Sequence, residues 1–375
     1  LNGAGKTTLL RLLAGIERVN RSILSEGATA PLADERDRLI GQLSAIVDLQ
    51  VHQGEAGAVT ITTGAGQTLF DGARALRFEF DGRTQLAPQN RYDTTPPSVG
   101  VLSLVSASGS RTDLLAAGAI RSGALGAALE MRDETLVQAQ LQLDELAAGL
   151  ARAFSDEPAT ITGATSPFTL SSATYPLTVE IAVGGSFVRA SAGSEADLNA
   201  ALAPFATIAG TAVSVPGGTV LSAATTRTGT AGTGAFAFFE DPAQPAGFTG
   251  ANDQITGFAQ RIQVNAAVAA NPGLLVNSTL AGDPARPTFM RDGLARSQTF
   301  ASQAGLAGAA PFRGDVASAI RRSVEVQGAA AATAVILGCD AERTAHAIAT
   351  AATMAGGLQQ AFRGAGMSKP MHPGH

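Results

Sequence analysis

The chain has 375 residues, long enough for two or three domains and a substantial core. Only 15% of residues are charged and the formal net charge is -5, which argues against nucleic acid or an anionic membrane as a bulk partner. No apolar run approaches the roughly 18 residues of a membrane span, and with no Trp and 2 Tyr the core must be built from Ala, Leu and Val.

The chain opens without a start methionine or a signal-peptide pattern, so Leu1 reads as a cut end. Residues 1–15, LNGAGKTTLLRLLAG, resemble the phosphate loop and first helical turn of an ABC-type ATPase. In such a loop, backbone N–H groups surround phosphates, Lys6 would reach the β/γ oxygens and Thr7 would ligate Mg²⁺. The motif's first glycine, its supporting strand, a Walker B strand and an ABC signature are missing. Gly3, Gly5, Lys6 and Thr7 therefore more simply begin an amphipathic helix. The character changes at Glu17, where Asn20, Ile23 and Leu24 predict a short polar helix ending near Gly27.

Pro31, Asp34 and Glu35 open a second helix, ADERDRLIGQLSAIVDL, with Leu39, Ile40, Leu43, Ile46 and Val47 at helical spacing. Asp34, Glu35 and Asp37 crowd its first turn, where they favour the positive end of the helix dipole rather than forming an acid/base pair. A β-meander follows: LQVHQ, AVTITT, TLF and ALRFEF, separated by glycine-containing turns. Residues 88–97 form a polar loop, and VGVLSLV predicts one more strand.

Residues 123–154 predict the central helix. Leu129, Leu136, Leu143 and Leu150 recur every seven residues, and Leu125, Ala139 and Leu146 stand four before three of them. That 3.5-residue stripe predicts a seam packed on another helix, with 34–47 as its expected partner. Arg132 interrupts the second row, and Asp144 and Glu145 are expected on the solvated surface. Beyond Phe154, YPLTVEIAV, SFVRASA, TAVSV and GAFAFFED predict a small β-rich domain inserted between helical elements. SEADLNAALAPFA predicts a helix crossing it, capped by Ser194.

Three of these segments, ADERDRLIGQLSAIVDLQVHQGEAGAVTITTGAGQTLFDG, SGALGAALEMRDETLVQAQLQLDELAAGLARAF and RIQVNAAVAANPGLL, together with PFRGDVASAIRRSVEVQGAAAATA, stand in the order found in one family. They resemble the bacterial flagellar hook-associated protein 1 family, the hook–filament junction proteins, over about 17–334. The resemblance implies an α+β fold: a discontinuous helical rod domain with a β-meander and an inserted β-rich domain. It also implies a structural role by axial packing of subunits, with the hook, a second junction protein and further copies of the chain as partners. The location implied is the extracellular flagellum, reached without a cleaved signal peptide. In that family the two chain ends are helices that pair; here one is absent and the other is replaced.

The replacement, LGCDAERTAHAIATAATMAGGLQQAFRGAGMSKPMHPGH, is similar to the family of 2-methylcitrate dehydratase and related lyases. Lys369, His372 and His375 fall on that family's lysine and two histidines, and the lysine lies at its substrate-carboxylate site. The other acid/base residues of such a site lie in parts this chain lacks. His372 and His375 with Asp340 and His346 lack the rigid frame of a metal site. Cys339 is the single cysteine, which excludes an internal disulfide, and it reads as a small apolar residue. The chain thus reads as a mosaic of five parts: 1–16 P-loop-like, 17–154 rod with meander, 155–250 β-rich insertion, 251–335 return to the rod, and 336–375 dehydratase-like. Lyase and ATP-binding readings each rest on one terminal segment. No catalytic, cofactor or metal residues are expected, only the interaction seam of Leu129, Leu136, Leu143 and Leu150.

Overall fold

The computed structural model describes residues 3–27, 29–54, 57–82, 86–106, 109–244, 247–276 and 283–336. Helices and small antiparallel sheets follow one another along the chain, giving the α+β class that the sequence predicts. The described residues divide into two compact units, 3–137 with 333–336, and 138–332.

In the first unit, α1 (Gly3–Glu26) buries Leu9, Leu12, Leu13, Ile16, Val19 and Ile23, the spacing of a helix with one apolar face. This helix bears out one expectation and corrects another. The segment that resembles a phosphate loop is helical from Gly3 onward, so its N–H groups follow one axis instead of converging around an anion as in a wrapped loop. The expected change at Glu17 is absent, because Leu13 and Ile16 before it join the same core as Val19 and Ile23 after it. Asn20, expected on a polar helix, is buried. Its amide donates to the Gly72 carbonyl at 2.6 Å and its oxygen accepts the Val59 N–H at 3.2 Å, which offsets the cost of burying it.

Helix α2 (Ala30–Ser44) starts with Pro31 in its first turn and buries Arg36, Leu39 and Leu43. The Arg36 guanidinium donates to the Gly57 carbonyl at 2.6 Å. Glu35 pairs with Arg38 at the surface, 2.8 Å apart. Strands β1 (Leu49–Gln53), β2 (Val59–Thr63) and β3 (Thr68–Phe70) form an antiparallel sheet in that order. The expected meander stops there. β4 (Arg77–Asp81) pairs with β5 (Val101–Val105), which pairs with β6 (Arg111–Asp113). The Asp71 carboxylate accepts the N–H groups of Ala73 and Arg74 at 2.8 and 2.7 Å. That turn closes a hairpin, in which Phe70 pairs with Ala75 and the Leu76 N–H donates to the Leu69 carbonyl at 2.9 Å, before β4 joins the second sheet.

Helix α3 (Gly123–Glu130) begins at a glycine with φ +76°, where an added Cβ would lie 2.6 Å from the Ile46 carbonyl oxygen, so no side chain fits. Its Leu125 and Leu129 belong to one core with Leu39, Leu43 and Val47. A π-helical turn, Met131–Thr135, leads into α4 (Leu136–Ser155). The expected seam is not one continuous stripe: Leu129 and Leu150 are buried, Leu143 is half-buried and Leu136 is 49% exposed. A π turn holds one residue more than an α turn. The helix beyond it is rotated by about 100°, which puts a heptad that spans it out of phase.

In the second unit, α4 is buried from Leu146 to Ser155 without interruption. After it come β7 (Asp156–Pro158), β8 (Ile161–Thr162), β9 (Phe168–Leu170), β10 (Leu177–Val183) and β11 (Ser186–Ala192). Helix α5 (Glu195–Leu202), β12 (Thr207–Ala209), β13 (Ala212–Ser214) and β14 (Gly218–Thr226) complete two sheets, ordered β11-β10-β14-β7 and β12-β13-β9-β8. The Ser194 side chain accepts the Asp197 N–H, the cap that the sequence predicts. Leu177, Val179, Ile181, Leu198, Leu202 and Val213 share the core of these sheets.

The remaining elements are β15 (Phe239–Glu240), α6 (Asn252–Ile255), α7 (Phe258–Arg261), β16 (Gln263–Val264) and α8 (Ala266–Ala270). They are followed by α9 (Ala285–Ala295), β17 (Gln298–Phe300), β18 (Leu306–Ala309), β19 (Phe312–Gly314) and α10 (Val316–Ile336). Small residues let these pack closely on α4. A Cβ at Gly149 would lie 2.6 Å from the Phe300 ring, and one at Gly293 would collide with the Ala153 carbonyl.

Candidate functional site

The densest set of functional groups lies at the C-terminal end of α4. Glu145 and Arg152 are seven residues apart, on one face of that helix, and Asp156 begins β7. Both α4 residues and Asp156 are buried. β10 brings Glu180, directly opposite Arg189 of β11 and Ser222 of β14. β17 brings Gln298 and Thr299, with Arg313 of β19 opposite Thr299, and Arg296 follows α9.

The pairing crosses elements rather than following strand register. Arg189 turns from Glu180 to Glu145, donating to its two oxygens at 3.1 and 3.2 Å and to the Thr299 carbonyl at 2.8 Å. Glu180 accepts the Thr299 N–H and the Arg313 guanidinium, each at 2.6 Å, and the Ser222 hydroxyl at 2.8 Å. Burial would raise the Glu145 carboxyl, but Arg189 and then Arg152 outweigh it and hold it below its ordinary range. Asp156 accepts the Thr226 hydroxyl at 2.8 Å. Burial pushes its carboxyl up to about 6, against the pull of Arg152, Thr226 and Arg296.

Arg152 is the least satisfied member. Its Nε donates to Gln298 at 3.0 Å, and its nearest Glu145 oxygen is 3.9 Å away. Both terminal nitrogens are buried without a protein hydrogen bond. Burial, and next the Arg189 charge, lower this guanidinium to about 10. The residue lines a cleft of ≈ 50 Å³ together with Asp156, Thr178, Glu180, Arg296 and Gln298.

Asp144 and Glu145, expected on a solvated face, are thus buried and bonded. Asp144 accepts the N–H groups of Gly257 and Ala259 at 2.7 and 2.9 Å and the Gln140 amide at 2.9 Å. Burial raises its carboxyl, and the bonds from Ala259 and Gly257 pull the other way. The signal for this cluster was present in the sequence as lone charges inside apolar runs: ELAAGLARAF, TVEIAV and FVRASA. Such a charge in a core needs a partner, but the partners lie far along the chain.

Chemically, the cluster holds elements together. The Glu180 oxygens are occupied by Thr299, Arg313 and Ser222, so Ser222 has no free base beside it. Among the described residues, no three or more His, Cys, Asp or Glu side chains are placed to hold a metal ion, and no helix is long and apolar enough to cross a membrane. Lys369, His372 and His375, with Cys339, Asp340 and His346, lie outside the described residues. The Lys6 segment forms the first turn of α1. Leu129 and Leu150 serve the interiors of different units, while Leu136 faces solvent.

These are the traits of a protein whose charges tie secondary structure together. In the comparison with known proteins, residues 6–159 match the family model for the helical domain of the flagellar hook-associated protein FlgK. The match covers α1 through β7, so it begins ahead of the expected start at Glu17. The exchange of families expected near LLAGIE is not supported, since both the match and α1 run through it. Among solved structures, the flagellar hook junction protein FlgK from Burkholderia pseudomallei is similar at 20% identity, over 59% of this chain and 45% of that chain, with a TM-score of 0.34. The chain therefore spans less than half the length of that protein, and the likeness is too loose to place residues. No curated protein matches the chain.

Proposed function

We propose that this protein is a structural component of the bacterial flagellum at the hook–filament junction, working by subunit packing and not by catalysis. The observation that carries this reading is the family match over residues 6–159. The first unit supports it: its core joins α1, α2, two three-stranded sheets and α3 into one body. Its partners on this reading are axial proteins, namely the hook, a second junction protein and further copies of this chain, and it works outside the cell. The β-rich sheets between α4 and β15 are an insertion between two rod segments.

Leu136 belongs to the packing surface. It is an exposed leucine on a helix whose neighbours Leu129 and Leu150 are buried, and single apolar side chains of that kind anchor interfaces once covered. Purified hooks incubated with gold-labelled protein should carry label at one end only in electron micrographs. Label spread along the hook, or none at saturating protein, would remove the proposal. Leu136→Ala should weaken end labelling while leaving the folded protein's circular dichroism unchanged.

A further inference from the structure

We infer that β1 is a docking edge for a second copy of this chain, whose own β1 adds antiparallel across it, centred on Val51. β1 ends the sheet ordered β1-β2-β3, and Gln50 to Gln53 are exposed. The turn beyond the strand shows which of its peptide groups are free. The Gly54 N–H donates to the Ala58 carbonyl at 2.7 Å, in the same register that sets Val51 opposite Ile61. Peptide groups alternate in direction along an antiparallel strand, so Gln50 and His52 bond to β2. Leu49, Val51 and Gln53 therefore turn their N–H and C=O groups outward. The β2 side agrees: the Thr63 N–H, opposite Leu49, points away from β1 to the Gln67 carbonyl at 2.8 Å.

An edge of this kind takes up another strand unless charge, proline or a cover prevents it. Other edges among the described residues are protected. β4 carries Arg77, Glu79 and Asp81, and β6 carries Arg111 and Asp113. β3 is met by the returning chain, where Phe70 pairs with Ala75. The Asn199 side chain covers β12, accepting the Ile208 N–H at 2.7 Å and donating to the Ile208 carbonyl at 2.9 Å. β1 has no Lys, Arg, Asp or Glu, no proline and no glycine.

Its match to itself selects the occupant. Leu49, Val51 and Gln53 lie on the sheet face of their partners Thr63, Ile61 and Val59, all buried. Val51 is 41% exposed beside Ile61 at 0%, so the apolar face reaches the edge and stops uncovered. In an antiparallel pair centred on Val51 the two valines stand side by side on that face. Leu49 then faces Gln53 and Gln50 faces His52, so no carboxylate or guanidinium is brought in. Each outward pair exchanges both of its N–H···O bonds. The contact is isologous and closes as a dimer. A five-residue strand is small against the about 1,200 Å² of a stable interface, so the association is weak and concentration-dependent. This is where the further copies proposed as partners meet, and it rests on that reading for its setting. Hook labelling tests the flagellar role and self-association in solution tests the contact, so either can fail alone.

The test is sedimentation equilibrium of the full-length protein over rising concentration, where a reversible monomer–dimer equilibrium is expected. Val51→Pro deletes the outward N–H without touching the ladder to β2. It should weaken dimerisation about tenfold or more, through one bond lost from each copy. Val51→Lys and Val51→Glu set like charges opposite each other and should each stay monomeric, while an equimolar mixture of the two should dimerise. A wild type that stays monomeric up to its solubility limit would overturn the proposal. So would dimerisation unchanged in Val51→Pro, or a mixture as monomeric as its parts. If circular dichroism shows that Val51→Pro does not fold, the lysine and glutamate variants decide the question alone.

Discussion

Asp156 shows how one buried carboxyl ties stability to pH. Its folded value of about 6 stands above the ordinary 3.8, so the folded protein binds the proton more tightly than the unfolded chain. The resulting stability is fully present below 3.8 and is lost as pH rises through 6. Between pH 7.5 and 5 the wild type should gain on the order of 1 kcal/mol from this group, and Asp156→Asn should lack that gain. Urea unfolding at the two pH values measures it; parallel pH dependence in both proteins would mean that Asp156 is not the group responsible. The leucines test packing at the same scale. Leu129→Ala removes a buried side chain and should cost about 2–5 kcal/mol. Leu136→Ala, at the exposed position, should change stability by no more than about 0.5 kcal/mol. Equal losses would place Leu136 in the core after all. Individual residues were the least legible scale in the sequence. A heptad of leucines looks uniform until a π turn rotates half of it, and Glu145 reads as a surface charge until Arg189, 44 residues on, comes to meet it.

Secondary-structure elements were read more faithfully, because their signals are local. LQVHQ and SFVRASA coincide with β1 and β11 residue for residue, and the Ser194 cap is where the sequence puts it. The misses have physical reasons. β14, GTVLSAATT, pairs with both β10 and β7, yet its small Ser, Ala and Thr residues give it little apolar contrast. Residues 1–16 were divided from α1 because glycine–lysine text resembles a loop motif, although the leucines behind it keep the helical period. Glycines offer a paired test of how these elements pack. A methyl group at Gly293 of α9 would run into the Ala153 carbonyl of α4, so Gly293→Ala should destabilise by about 1–3 kcal/mol. Gly328 of α10 has nothing within 4 Å of its added Cβ, and Gly328→Ala should stabilise by about 0.5–1 kcal/mol through helix propensity. Thermal midpoints moving the same way in both variants would contradict these contacts.

For the whole molecule, the α+β class was legible. The division at 137/138, inside the long helix, was not, because helical periodicity continues across it. A fragment of residues 136–336 contains every member of the ionic cluster, the core of the two β-sheets and the two cores that α4 joins. It should therefore unfold cooperatively in urea with an Asp156-dependent pH response like that of the full chain. A fragment with no unfolding transition would show that the second unit depends on the first. The long reach of the cluster also sets a schedule for synthesis. Glu180 meets Arg313 only after another 133 residues have been added, which at about 5–20 residues per second takes roughly 7–27 s. During that interval β10 waits on the ribosome with its carboxylate unpaired, so the last strand pair to be translated, β17 with β19, is the one that closes the charged interior.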